Sequence, residues 1–208
     1  MKYLVRYLLV GLIGTTILSL YRHGILDHVW NSGPSLTSFH LPQFGRTVSA
    51  AVGQSASDFH YGPNENLERL DVQAIDRAEG HIDVAMYSFT NHAIADALVA
   101  AAKRGVQIRI YRDFEQYEEE QRRGDTYVAQ ALASNQNISI RVKGVKELMH
   151  LKEWSDGNQL REGSANWSVA GERQQDNSVA FYEDKQGAAI FERKFQMMWD
   201  RPDNMRVQ

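Results

Sequence analysis

The hydrophobic and polar positions from residue 55 onward alternate between two periods along the chain. Apolar residues recur every three to four positions from Leu67 to Ala78, which predicts a helix after a strand over Ser55–Tyr61. Strict alternation from His81 to Phe89 predicts the next strand, and the same two patterns then predict a helix over 93–104 and a strand over 106–111. This order predicts an α/β fold with a mixed, largely parallel central β-sheet and helices on both of its faces.

The second half of the chain predicts a β-hairpin among further helices and strands. Its arms are expected over Leu148–Ser155 and Gln159–Ala165, joined by a turn at Asp156–Gly157. The charged segment 114–124 predicts a loop or a helix start, with Glu118–Glu120 directed away from any anionic substrate. The remaining predicted elements are a short helix over 126–133, strands over 138–142 and 178–182, and a last helix over 186–200.

The first residues carry the pattern of a targeting segment. Lys2 and Arg6 precede a mostly apolar run that ends near Tyr21, which predicts an N-terminal apolar helix over residues 1–21. No pair of small residues marks a cleavage site after this run, so we expect a signal anchor rather than a signal peptide. The positive charges at its start predict a bacterial inner-membrane protein whose remaining chain faces the periplasm, or a protein secreted to the periplasm if the segment is cleaved.

Residues 22–53 contain scattered Gly, Pro, Ser and Thr without a sustained period, which predicts a linker before a domain over 54–208. The formal net charge of -3 argues against a general nucleic-acid coat protein, although a local basic groove near Arg141, Lys143 and Lys146 is compatible with it. The chain has no cysteine, which excludes disulfides, thiolate nucleophiles and cysteine-ligated zinc.

The predicted hairpin carries the chemistry. Side chains two positions apart on a strand share a face, so His150 projects with Lys152, and Ser164 projects with Asn166. An imidazole, an ammonium, a hydroxyl and a carboxamide on one small surface suit attack on an anionic phosphodiester. In this interpretation His150 is the nucleophile, while Lys152, Ser164 and Asn166 bind the substrate. The alternative is a surface hairpin with a solvated histidine and lysine.

The stretch from His150 to Asn166 resembles the HKD signature of the phospholipase D superfamily. The residues that carry the resemblance are His150-x-Lys152, Asp156 and Gly163-Ser164-x-Asn166. The downstream spacing matches the signature, whereas three residues instead of four separate Lys152 from Asp156. Residues 61–113 also resemble the first half of a single-motif bacterial endonuclease-like domain of this superfamily.

The resemblance implies a metal-independent phosphodiesterase that works through a phosphohistidine and needs no cofactor. It implies a supporting role for Asp156, and a role for Asp176 in orienting the imidazole of His150. Because one imidazole cannot easily serve as both nucleophile and general acid, and the family brings two motifs into one site, we expect a homodimer with a shared active site.

Three functions remain open at this point. The first is a nuclease that acts on DNA or RNA, which the short single-motif chain favours, and the second is a phospholipase near the membrane that the N-terminal helix contacts. The third is a catalytically weakened family member that binds nucleic acid or lipid, because the shortened spacing shifts the strand parity of Asp156. A narrow basic groove would favour nucleic acid, and an apolar rim beside the site would favour lipid.

Overall fold

The computed structural model describes residues 57–144 and 147–207. Within this part of the chain the strands are β1 Ser57–Tyr61, β2 His81–Met86, β3 Gln107–Arg112, β4 Ile138–Val142, β5 Lys152–Ser155, β6 Leu160–Gly163, β7 Ser178–Tyr182 and β8 Met205–Val207. The helices are α1 Leu67–Arg77, α2 His92–Lys103, α3 Phe114–Arg122, α4 Tyr127–Ala133, α5 Val169–Arg173 and α6 Lys185–Trp199.

All the described strands join one sheet in the order β1-β7-β6-β5-β2-β3-β4-β8. Only the pairs β2–β3 and β3–β4 are parallel, while the other five pairs in the described chain are antiparallel. The mixed α/β class is therefore confirmed, but the expectation of a largely parallel sheet is wrong. Parallel pairing needs a helical crossover, and the short connection between β5 and β6 permits only antiparallel pairing.

Helices cover both faces of the sheet, as the sequence predicts. On one face α1, α2 and α4 pack over β2, β3 and β4 around a core of aliphatic side chains and the indoles of Trp154 and Trp167. On the other face the aromatic residues Phe191, Phe195 and Trp199 of α6 pack on Ala85 and Tyr111. Because helices bury both faces of the sheet, polar functional side chains are expected at the ends of the strands.

Asparagine and aspartate side chains fix the starts of the helices. Asn66 begins α1 by accepting the Arg69 amide at 3.0 Å. Asn91 begins α2 and Asp113 begins α3 in the same way. The sequence patterns missed α5 and β8 because each is too short to show a period.

Glu120 corrects the expectation for the acidic run of α3. Its carboxylate is buried and contacts the guanidinium of Arg112 at 2.6 Å. It also accepts the Phe89 amide at 3.0 Å, so this glutamate faces the interior rather than solvent. Glu118 is exposed, as expected.

The predicted N-terminal apolar helix, the linker over 22–53 and Lys146 lie outside the described residues. In residues 57–144 and 147–207, no helix combines the length and apolarity needed to span a bilayer.

Candidate active site

The candidate active site lies where the chain leaves β2. Beyond the end of this strand, the amide of Tyr87 donates to the carbonyl of Leu151 at 2.9 Å. Four residues later, the amide of Asn91 donates to the carbonyl of Trp167 at 3.0 Å. The segment over 87–91 therefore contacts both halves of the predicted site. Lys152 is the first residue of β5, whereas His150 precedes this strand and Ser164 and Asn166 follow β6.

His150 presents an accessible imidazole. Its ring packs edge-on against Tyr87, with 4.8 Å between the ring centroids. Among the described residues, neither ring nitrogen of His150 has a hydrogen-bond partner. Partial burial and the nearby charge of Lys152 lower the pKa of His150, and the charge of Asp113 opposes them. The neutral imidazole is thus favoured, and this is the form that can attack phosphorus.

Lys152 is buried directly beside this histidine. Only 5% of its surface is exposed, and its Nζ donates to the carbonyl of His150 at 2.8 Å. The ammonium also lies 5.0 Å from the centre of the Tyr87 ring, within the range of a cation–π contact. Burial, followed by the charge of Arg161, lowers the pKa of Lys152 to about 8. Below that pH the group is a poorly hydrated cation, which binds an anionic oxygen strongly.

Asn166 and Ser164 have different surroundings. The Oδ1 atom of Asn166 is buried without a hydrogen-bond partner in the described part of the chain. Ser164, in contrast, donates its hydroxyl to Asn177 Oδ1 at 2.8 Å and accepts the Ser178 amide at 3.0 Å. Ser164 therefore fastens the chain after β6 to the chain before β7, whereas the carboxamide of Asn166 is not committed to a structural partner.

Asp156 belongs to the turn at the other end of the hairpin. Its Oδ1 accepts the amides of Asn158 and Gln159, both at 2.9 Å. Asp156 lies four positions after Lys152, or about 13 Å along an extended chain at the usual rise. Because Asp156 caps the turn and is not on the strand, the shortened spacing does not move it between faces of the sheet.

Two other aspartates bear on His150 differently. Asp176, predicted to orient the imidazole, is exposed and makes no hydrogen bond to it within the described chain. Asp113 instead accepts the amide of Met149 at 2.9 Å, next to His150, and caps α3 with its other oxygen. The structure thus places Asp113, and not Asp176, behind the candidate nucleophile.

A buried polar cluster of Asp71, Arg161 and Glu172 lies beneath the site, and we call it the Arg161 cluster. The three side chains are fully buried, and a guanidinium nitrogen of Arg161 lies 2.9 Å from Asp71 Oδ2 and 3.2 Å from Glu172 Oε1. Asp71 also accepts the indole N–H groups of Trp154 and Trp167. Burial, then the charge of Asp71, raises the pKa of Glu172 to about 9, so this carboxyl holds a proton at neutral pH.

The sequence analysis missed Asp113 and the Arg161 cluster for different reasons. Asp113 had a signal, because it follows β3 at the carboxyl end of a parallel strand, where functional residues collect. Arg161 and Asp71 are 90 positions apart, and nothing in either local pattern points to the other. Arg141 and Lys143, considered as phosphate ligands, instead donate to the carbonyls of Trp199 and Glu147.

Comparison with known proteins gives the family. Residues 72–199 match the family described as cardiolipin synthase, PLD-like domain. The mitochondrial cardiolipin hydrolase of Drosophila melanogaster is 30% identical over 149 residues, which is 62% of this chain and 56% of that protein. The same enzyme of Danio rerio is 22% identical over 159 residues, which is 74% of this chain and 66% of that protein.

A solved structure agrees with the family match. The phospholipase D family member Nuc from Salmonella typhimurium superposes with a TM-score of 0.65 at 25% identity, covering 74% of this chain and 99% of that one. The chain therefore belongs to the phospholipase D superfamily, as the His150–Asn166 stretch predicts. It spans about half to two thirds of the length of the curated relatives.

Proposed function

We propose that this protein hydrolyses phosphodiesters with His150 as the nucleophile and without a metal or another cofactor. The observation that carries the proposal is the accessible, preferentially neutral imidazole of His150 next to the buried ammonium of Lys152. This ammonium donates a 2.8 Å hydrogen bond to the backbone carbonyl of His150. A neutral nucleophile and a desolvated cation together answer the main obstacle to the reaction, which is the negative charge of the substrate.

The proposed reaction has two displacements. A nitrogen of His150 attacks phosphorus, a P–N bond forms, and the bond from phosphorus to the leaving oxygen breaks. Lys152 and the carboxamide of Asn166 bind the nonbridging oxygens, and the leaving oxygen takes a proton from a second imidazole. Water then attacks the phosphohistidine from the opposite side and gives its proton back to that imidazole, and the P–N bond breaks.

The second imidazole has a proposed source in a second copy of the chain. The His150–Asn166 stretch supplies one nucleophile, so a homodimer with a two-fold axis at the site would provide His150 of the partner subunit as the general acid. We expect sedimentation of the purified protein to show a dimer. When His150→Ala and wild-type subunits are mixed, heterodimers should have almost none of the wild-type activity.

DNA or RNA is the first proposed substrate. A short domain with one set of site residues resembles the small single-motif endonucleases of the superfamily. The side chains of Arg141 and Lys143 bind backbone carbonyls of the fold and do not form a basic groove. We therefore expect phosphate recognition to depend on the site residues themselves.

Membrane phospholipid is the second candidate, and specific observations favour it. Leu148, two residues before His150, is 58% exposed, and Val169, three residues after Asn166, is 49% exposed. Exposed apolar side chains beside a site are suited to lipid contact. The curated relatives are named cardiolipin hydrolases, and the predicted N-terminal anchor would hold the domain near a membrane.

The test of the reaction uses bis-p-nitrophenyl phosphate in the presence of EDTA. Turnover should persist in the chelator and fall by on the order of 1000-fold or more in His150→Ala, because the nucleophile is gone. His81→Ala is the matched control, since this histidine begins β2 at the end away from the site. No turnover by a folded wild-type protein, or full turnover by His150→Ala, would contradict the proposal.

The substrate is decided by a parallel screen of single- and double-stranded DNA, RNA, and vesicles that contain cardiolipin. Cleavage of nucleic acid alone supports the first candidate, and release of phosphatidic acid from the vesicles supports the second. Binding without cleavage, by a protein that also fails on the generic diester, would identify the weakened family member.

A further inference from the structure

We propose that Arg161 is a positioning residue that fixes the separation of Lys152 and Asn166 from behind the site. This inference rests on the proposed function, because it assigns these two residues as the phosphate-binding pair. Lys152 begins one arm of the hairpin and Asn166 follows the other, so their separation depends on what holds the arms together.

Backbone pairing between the arms stops before it reaches the site. In the β5–β6 ladder Ser155 faces Leu160 next to the turn, and Trp154 faces Arg161 one step closer to the site. The ladder ends at this second pair. Beyond this point β6 pairs with β7, where Gly163 faces Val179. A side chain at Gly163 would overlap the carbonyl of Ser178, so the chain is drawn toward β7 at this glycine. The arms therefore separate next to the residues whose distance matters.

The guanidinium of Arg161 bridges the arms where the ladder has ended. Its Nη1 donates to the carbonyl of Lys152 at 2.7 Å and to the carbonyl of Ala165 at 3.3 Å. These carbonyls belong to one phosphate-binding residue and to the neighbour of the other. A planar fork with fixed donors can hold two acceptors at a set distance, which the single ammonium of a lysine cannot.

A second connection reaches Asn166 through α5. Glu172 of this helix accepts a hydrogen bond from Arg161 at 3.2 Å. The neighbouring Gly171 packs so closely on Asn166 that a Cβ there would collide with its carbonyl oxygen. Arg161 thus constrains Asn166 through the preceding residue and through the helix that packs on it.

The charge of Arg161 also acts on Lys152. After burial, it is the cause that lowers the pKa of Lys152 to about 8. Burying the arginine that joins the two carbonyls costs desolvation free energy, and its charge must be neutralised by Asp71. The arrangement therefore gives the site a fixed geometry and a lysine that loses its proton at mildly alkaline pH.

Two variants of the full-length protein separate position from charge. Arg161→Lys keeps a cation beside Asp71 but loses the fork, so kcat for bis-p-nitrophenyl phosphate should fall by about 10- to 100-fold with little change in KM. The paired variant Arg161→Met/Asp71→Asn removes both charges. In it the pKa of Lys152, followed by NMR of labelled lysine, should rise above about 8 but stay below its ordinary value, because burial, the larger cause of the lowering, remains.

The alkaline limb of the pH–rate profile gives an independent reading. Activity should fall above about pH 8 in the wild type as Lys152 loses its proton, and the limb should move to higher pH in the paired variant. Arg109→Lys is the control for a merely structural effect, because Arg109 pairs with Asp83 on the side of the sheet that α6 covers. It should lower stability without moving this limb.

Wild-type kcat and wild-type vanadate affinity in folded Arg161→Lys would overturn the inference. An unchanged pKa of Lys152 in the folded paired variant would overturn the action of the Arg161 charge on Lys152. Affinity for inorganic vanadate, measured beside these, should fall in Arg161→Lys. If the wild-type protein has no phosphodiesterase activity, the proposed function fails. Vanadate affinity in Arg161→Lys still decides whether Arg161 positions this pair.

Discussion

Two buried arginines bind the backbone carbonyls of facing strand residues beside the site. Their positive charges are neutralised in different ways. Arg112 donates its Nε to the carbonyl of Met86 at 3.0 Å, and Arg161 donates to the carbonyl of Lys152 at 2.7 Å. Met86 and Lys152 are partners in the β2–β5 register, so the two guanidinium groups support the same point of the sheet. The comparison shows how similar contacts can rest on different balances of charge.

Arg112 has one counter-charge. Glu120 lies 2.6 Å from it, and the other oxygen of this carboxylate accepts the amide of Phe89 and the hydroxyl of Ser88. One cation therefore meets one carboxylate whose oxygens are both hydrogen-bonded. Such a pair is costly to break, because removing one partner leaves the other charge buried alone.

Arg161 has two carboxyl groups around one positive charge. Within the described residues, its Nε and the Oε2 atom of Glu172 have no hydrogen-bond partner. Burial, and then the charge of Asp71, raises the pKa of Glu172 to about 9, so this carboxyl remains neutral by keeping its proton. The Arg112 pair is a balanced ion pair, whereas the Arg161 cluster depends on a proton.

Removing the counter-charge of Arg112 should have the largest effect on stability. Glu120→Ala leaves the guanidinium and the Phe89 amide buried without their acceptor, and we expect a loss of about 3–5 kcal/mol in the free energy of unfolding. Urea titration of the purified protein measures it. A loss below about 1 kcal/mol, which is the value of an exposed pair, would show that water reaches this pair.

Replacing the neutral carboxyl of the Arg161 cluster should have a smaller effect of the opposite sign. The folded pKa of Glu172 is raised from its ordinary value of 4.5 to about 9, so the folded state binds the extra proton between these values. The free energy of unfolding therefore falls as pH rises through that range. Glu172→Gln removes this loss, and at pH 8 it should be more stable than the wild type by at least about 1 kcal/mol.

The pH dependence is the decisive part of that measurement. The advantage of Glu172→Gln should shrink toward pH 5, which lies close to the ordinary pKa of 4.5 at which the unfolded wild type takes up the same proton. Glu120→Gln is the matched control, because it removes the counter-charge of Arg112 and should destabilise at both pH values. An advantage of Glu172→Gln that stays constant between pH 5 and pH 8 would contradict the neutral carboxyl.

The smallest effect is expected at an acidic residue outside both groups. Asp176 is exposed and has no hydrogen bond to His150 in the described chain. We expect Asp176→Asn to change kcat/KM by less than about twofold, as is usual for surface positions away from a site. A loss of tenfold or more would restore the orienting role that the family resemblance implies.

The fold was largely predictable because its signals are local. The helical period over Leu67–Ala78 and the alternation from His81 were confirmed as α1 and β2. The direction of the strands was not predictable, since the strands after β4 pair in an order that no single period encodes.

The proximity of His150 and Lys152 was predictable from the sequence, but the buried contacts that hold them in place were not. His150 and Lys152 were expected together from their spacing, and the structure joins them by a hydrogen bond. Ser164 and Asp156 were expected at the site, yet their side chains hold the hairpin's connections. Only the fold could show this, because the same polar side chain serves catalysis or a turn according to what faces it.

The sequence by itself determined the class of fold, the family and the candidate nucleophile, because each depends on short-range periods or spacings. The tertiary structure decided which carboxylates are ionised and which backbone carbonyls hold the site. Asp71 and Arg161 meet across 90 positions inside the core, and burial there sets the protonation of Glu172 and Lys152. Desolvation is a property of the packed interior, so no linear pattern of residues contains it.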